Sequence, residues 1–330
     1  MTVRALGLFL LELLCSAGAA LAAGHPLEIS EPFRQALDTL RNGQYRQAIR
    51  SSRLLEESEP KHPLGPLIAA EAFWGLIYCR TGHINSREIW VVATVKESPY
   101  DEDFLHAVET ALARSRGMQE APESRAMGNF YEGLAHGVRA RLYTLRAQAL
   151  SSGREGARMR SALLEAVRQD ARLQADAAAG LGLYDYYADV LSPLIKLFRF
   201  FLFLPGGDRQ RGLAQLQRAG RAAELVGPEA NYELAKIYSL RENRPAEALE
   251  LFRNLADQYP GNAFFALATA QQAERTGQKA MAAAFAQRAA HAAGQMDEVC
   301  RERLGPAAQE AWERITQQAA RSPRSVFAEP

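Results

Sequence analysis

The 330-residue chain has little lysine, little cysteine and none of the short motifs that announce a catalytic centre. Of 39 basic residues only five are lysine, namely Lys61, Lys96, Lys196, Lys236 and Lys279; arginine supplies the rest, an excess to which no function is assigned. Acidic residues number 38, so the formal net charge is +1 and no global attraction to nucleic acid follows. The six histidines, His25, His62, His83, His106, His136 and His291, are scattered, and neither His-Glu-x-x-His nor Cys-x-x-Cys occurs. No Gly-x-Ser-x-Gly elbow is present, which removes support for a hydrolase of that type. Glu102 with His106 and Glu132 with His136 stand four residues apart, as helical neighbours do, and surface pairing is the expected role of both. No catalytic residue, metal site or cofactor is expected.

What the chain has is helix-forming material in punctuated units. Hydrophobic residues make up 48%, and Ala, Leu, Arg, Glu and Gln favour helix. Residues 231–260, NYELAKIYSLRENRPAEALELFRNLADQYP, read as two helices and a turn. Leu234, Ala235 and Tyr238 mark one apolar face, and Ala248, Phe252 and Leu255 mark a second. Pro245 suits a first helical turn, and Pro260 ends the second helix. Residues 43–60, 82–99 and 243–260 each span 17 positions from inter-helix turn to terminating proline. A step of 34 then maps Asn243 to Gly277, Ala248 to Ala282 and Leu255 to Ala289, with weaker matches of Ala235 to Thr269 and Tyr238 to Gln272. Weaker copies at 153–171 and 212–219 bring the total to five or six helix pairs.

These residues resemble the tetratricopeptide repeat (TPR), whose pattern runs Leu-Gly-x-x-Tyr in the first helix and Ala, Phe, Ala, Pro in the second. The likeness implies an all-α fold, a right-handed α-solenoid of helix hairpins over residues 23–320, with a flexible tail at 321–330. It also implies protein or peptide binding by first helices lining a concave face, which points to Tyr232, Lys236, Gln271 and Arg275 as partner-binding candidates. Solvation alone is the alternative role for those four.

Residues 1–22 read as a secretory leader, with Arg4, an apolar stretch broken by Glu12, and a small-x-small site at Ala20-Leu21-Ala22. An uncleaved anchor is the alternative. An exported location follows, periplasmic or envelope-associated. Cys79 and Cys300 lie at opposite ends of the expected solenoid, so separate buried or free thiols are expected rather than a bridge.

Between residues 100 and 151 helices without repeat signatures are expected. Asp101, Glu102 and Asp103 begin one, Phe104, Val108, Ala111 and Leu112 stripe it, a loop follows at 117–123, and Phe130, Leu134, Val138 and Leu142 stripe the next. Gly133 and Gly137 suggest close helix packing there. The arginines Arg139, Arg141, Arg146, Arg154, Arg158, Arg160, Arg168 and Arg172 outnumber Glu155, Glu165 and Asp170, giving either a solvated face or a patch for an anionic partner.

The last feature is an aromatic-rich insertion at about 191–207. Leu194 to Leu204 are apolar except for Lys196 and Arg199, a run too short to cross a bilayer. It is expected to be buried in the fold, in a partner, or in a membrane interface through Lys196, Phe198, Arg199, Phe200, Phe201 and Phe203. Asp208 is the expected N-cap of the following helix. The sequence therefore points to a non-enzymatic scaffold for protein or peptide in the cell envelope, with lipid contact as the alternative.

Overall fold

The structure, a computed structural model, describes residue 27 and residues 29–81, 84–85, 97–190 and 205–321. The expected leader, the Lys196 to Phe203 candidates and the turn of the 82–99 copy lie outside the described residues. Within them the chain is all-α, a solenoid-like array of thirteen helices without a strand. In order these are α1 (Glu31–Arg41), α2 (Tyr45–Ser58), α3 (Leu64–Thr81), α4 (Asp101–Gln119), α5 (Arg125–Leu145), α6 (Ala149–Gln169), α7 (Gln174–Asp189), α8 (Arg209–Ala222), α9 (Gly227–Leu240), α10 (Pro245–Gln258), α11 (Ala263–Arg275), α12 (Lys279–Gln295) and α13 (Glu298–Arg321). Each helix packs on the next along the chain, the arrangement that defines a helical-repeat body.

One turn geometry joins four of the hairpins. Gly43, Ala147, Asn243 and Gly277 are the residues with positive φ, at 76°, 55°, 50° and 75°. In three of these turns the amide that follows reaches back five residues to close the helix end. Gln44 donates to the Thr39 carbonyl at 3.2 Å, Gln148 to Tyr143 at 2.8 Å and Gln278 to Ala273 at 2.8 Å. Asn243 and Gly277 are the two residues that the 34-residue step paired. The weak copy keeps its register too: Thr269 and Gln272 are as buried as Ala235 and Tyr238, and the Thr269 hydroxyl donates to its own helix at the Phe265 carbonyl, 2.8 Å away. Ala147 occupies a glycine position without being glycine, which is why the weak copy read from Gly153 starts too late: Gly153 lies inside α6, and the turn is at Ala147.

Glycine matters most where α7 meets α8. A Cβ on Gly212 would lie 2.6 Å from the Tyr186 amide nitrogen and 2.7 Å from the Gly182 carbonyl, so the backbones touch there. Asp208 caps α8 as expected, its carboxylate accepting from the Arg211 amide at 2.8 Å. The expected loop at 117–123 is shorter than that. α4 continues through Gly117 to Gln119, because one helical glycine costs only about 1 kcal/mol against a buried stripe from Phe104 to Ser115.

The helices do not leave an empty interior. α3, LGPLIAAEAFWGLIYCRT, is apolar on nearly every side, and thirteen of its eighteen residues are buried. It packs on α1, α2, α4, α5 and α13, and its Tyr78 ring meets Phe264 of α11 at 5.7 Å. Cys79 of α3 is bonded to Cys300 of α13, with Cα atoms 4.8 Å apart, which overturns the expectation of separate thiols. The physical reason is that the N-terminal helices fold into the array and meet its far end. Arg41 donates to Glu229 at 2.8 Å, Asn262 donates to the Arg41 carbonyl at 2.8 Å, Gly261 donates to Asn42 at 3.0 Å, and the Arg46 amide donates to Asp297 at 3.0 Å. The bridge closes a loop of 221 residues.

Two stability measurements follow. Ala147→Gly should raise stability by about 0.5–1 kcal/mol, since glycine adopts positive φ without a Cβ penalty, and urea denaturation reads it. Reduction with dithiothreitol, or Cys79→Ala with Cys300→Ala, should lower the unfolding free energy by about 5.4 kcal/mol in the chain-entropy model for so long a loop.

Candidate functional site

The four binding candidates are engaged inside the chain. Tyr232, on α9, stacks against Phe252 of α10 and Phe265 of α11, with centroids at 6.3 and 5.6 Å, and Lys236 Nζ stands 5.1 Å from its ring centroid. Burial pushes the Tyr232 phenol well above its usual value, with Tyr78, Glu233 and Tyr45 adding to the effect. Lys236 pairs with Glu233 at 3.0 Å. Gln271 is 3% exposed and donates to the Asn85 carbonyl at 3.4 Å. Arg275 donates to the Ser239 carbonyl at 3.1 Å and to its hydroxyl at 2.9 Å, joining α11 to the end of α9. Tyr232 and Lys236 therefore meet each other, while Gln271 and Arg275 serve separate contacts. Gln271 is thus buried, Arg275 is exposed, and Tyr232 and Lys236 are partly buried, while Tyr78 of α3 reaches the neighbouring Phe264.

The second place where polar chemistry gathers is a buried charge cluster on α4, α5 and α6. His136 is 4% exposed, and its Nδ1 lies 2.7 Å from Glu155 Oε2, while Nε2 faces Glu132 at 3.8 Å. Arg139 donates to Glu155 at 2.8 Å and pairs with Glu109; Arg158 donates to the other Glu155 oxygen at 2.7 Å; Gln119 donates to Glu132 at 2.7 Å. Sequence spacing had found Glu132 with His136 as a surface pair. The structure buries the histidine and adds Glu155 from the next helix, a partner that no spacing rule could supply. Glu102 and His106 form no ion pair with each other and remain exposed.

The arginine excess in this region is largely consumed internally. Arg146 donates to Asp101 at 2.7 Å, Arg172 donates to Asp170 at 2.7 Å, Arg141 pairs with Glu71 of α3, Arg168 pairs with Glu165, and Arg160 lies 5.7 Å from the Tyr184 ring centroid. Arg154 is exposed and makes none of these pairs, and Arg168 and Arg172 stay more than half exposed. A further internal device is Asp176 of α7, fully buried, which accepts from the amides of Glu224, Leu225 and Val226 at 3.1, 2.7 and 3.2 Å and so fixes the start of α9. Among the described residues no group of three His, Cys, Asp or Glu side chains is placed to hold a metal ion, and no helix is long and apolar enough to cross a membrane.

Protonation of the cluster sets a pH window. Burial opposes the charge on His136, but the approach of Glu132 and the hydrogen bond with Glu155 outweigh it and raise the pKa above the ordinary 6.5. Glu132 is lowered to about 2, chiefly by its hydrogen bond to His136, and Glu155 also falls to about 2, where bonds from His136 and Arg139 overcome burial. A raised folded-state pKa means the His136 contribution is full below 6.5 and is lost as pH rises through the folded value. The depressed carboxylates contribute fully above 4.5 and lose that contribution as pH falls toward 2. The cluster should therefore stabilise most between those limits. Thermal unfolding across pH should show His136→Gln removing most of the wild-type decline above that window, and Glu155→Gln removing part of the acid limb.

No protein-family model matches this chain, and no curated protein matches it. Among solved structures, the C-terminal part of a TPR repeat-containing protein from Cytophaga hutchinsonii aligns over 88% of this chain and 96% of that one, at 14% identity and a TM-score of 0.31.

Proposed function

We propose that the chain is an exported, non-enzymatic helical-repeat scaffold that holds a protein or peptide partner in the cell envelope. The observation that carries the reading is the covalent closure of the array by Cys79 and Cys300. Structural disulfides persist in oxidising compartments, in keeping with a leader at residues 1–22. Closure also fixes the relative positions of helices from both ends of the chain, and a surface that is rigid before binding loses less freedom when a partner docks. Consecutive hairpins present side chains in register, which suits an extended or helical partner. Of the four candidates Gln271 is buried, whereas Arg275 stays exposed and Tyr232 and Lys236 are partly so, which leaves these three within reach of a partner.

Export is tested by trapping thiols in intact cells with an alkylating reagent. Cys79 and Cys300 should resist modification unless reductant is added first; ready labelling of both would sink the oxidising-compartment reading. Binding is tested by crosslinked capture from the protein's own envelope, beside flotation with liposomes. Specific proteins should be retained, and flotation should be absent. Flotation that depends on Phe200 and Phe201 would replace the scaffold with the lipid-contact alternative.

A further inference from the structure

Between α2, α3 and the start of α4 lies a cleft of about 360 Å³. Its walls are apolar, formed by Ile49, Phe73, Leu76 and Tyr100. Its mouth carries Arg46, Arg50 and Arg53, with Asp103 as the one acidic lining residue. The three arginines follow i, i+4 and i+7 spacing, so they form one stripe along α2 beside its buried face of Tyr45, Ala48, Ile49, Ser52 and Leu55.

These arginines stand apart from those with which the fold pairs its charges. Arg41, Arg114, Arg139, Arg141, Arg146 and Arg211 are each closed off by a carboxylate of the chain. Among the described residues Arg50 and Arg53 make no ion pair or hydrogen bond, and both are exposed. Arg46 reaches Asp297 only at 3.9 Å, with its side chain 55% exposed. Leu54, next to Arg53 in sequence, is among the most exposed large apolar residues at 66%.

We propose that this cleft binds an acidic segment of a partner protein, with carboxylates at alternate positions on Arg50 and Arg53 and an apolar side chain two positions further along the same face, against Phe73 and Tyr100. The assignment rests on the scaffold reading above and supplies its site. Guanidinium groups pair carboxylates through two parallel hydrogen bonds, which gives orientation as well as attraction. From Arg46 to Arg53 the stripe runs about 10 Å along the helix, longer than one carboxylate or phosphate can bridge. An extended peptide places same-face side chains about 6.6–6.8 Å apart, so acidic residues at alternate positions match the stripe. The apolar walls are recessed behind the charges, a shape that takes an inserted side chain and not the flat surface of a bilayer.

The test uses the mature protein and a fluorescein-labelled decapeptide, Ser-Glu-Ser-Glu-Ser-Leu-Ser-Glu-Ser-Glu, whose glutamates and leucine share one face of the extended chain, read by fluorescence anisotropy. Binding should weaken with added salt, and Arg50→Glu with Arg53→Glu should weaken it at least ten-fold without lowering the melting temperature. The same double variant should gain affinity for a decapeptide in which lysine replaces glutamate. No binding by the wild type, or binding indifferent to the double variant, overturns the assignment. Anionic phosphatidylglycerol vesicles or inorganic phosphate that bind with the same arginine dependence while the peptide does not also overturn it. Envelope capture separates the two levels: specific proteins retained equally by wild type and double variant defeat the cleft and leave the scaffold standing, whereas an empty capture by the wild type defeats both.

Discussion

A helix that is apolar on every side has to be surrounded, and α3 imposes that constraint on this fold. Its buried residues run from Leu64 to Thr81, and each large side chain removed from water is worth about 1.5–3 kcal/mol. Neighbouring hairpins alone would cover two of its faces. The remainder is covered by α5, α11 and α13, which are far away in sequence, so the ends of the array are drawn together around it. The clasp of Arg41, Asn42 and Arg46 on Glu229, Asn262, Gly261 and Asp297 is the polar seam of that closure.

Charge follows from the same geometry. Wrapping helices around a central one brings long polar side chains into partly buried seams, where an unpaired charge is costly. Arginine meets this need well because its fork satisfies several acceptors at once, as when Arg139 joins Glu109 of α4 to Glu155 of α6. Asp176 works in the opposite sense, placing a carboxylate where three backbone amides would otherwise be buried without acceptors. These contacts cross from one hairpin to another, so they bind the repeats into a single body.

The repeats were legible because their signals are local. Turn residues Gly43, Asn243 and Gly277, the small residues Ala235 and Ala248, and the stripes from Phe104 and Phe130 all act within one or two helices. The Ala147 turn escaped because its positive φ is imposed by packing without the residue that normally reports it. The closure escaped for a related reason: Cys79 and Cys300 meet only because α3 lies inside the array, and a regular solenoid would hold them apart. The apolar run from Leu64 to Cys79, with Glu71 as its single charge, was the signal available for a central helix. Gln271 and Arg275 were chosen from their place on a first helix, a rule that does not say which of them packing will bury; Gln271 is buried and Arg275 is exposed. The spacing of Arg46, Arg50 and Arg53 was visible in the sequence, but their lack of partners was not.

The Cys79–Cys300 bond also constrains how the protein can be made. Synthesis proceeds at about 5–20 residues per second, so Cys300, 221 positions after Cys79, follows it out of the ribosome about 10–45 s later. Throughout that interval α3 lacks the helices that cover its far side, and Cys79 lacks the thiol that it will join. Early hairpins can form as they emerge, but the central helix reaches its final surroundings only when α13 arrives. Biogenesis therefore includes a long period in which an apolar helix and a reactive thiol must be shielded from other chains.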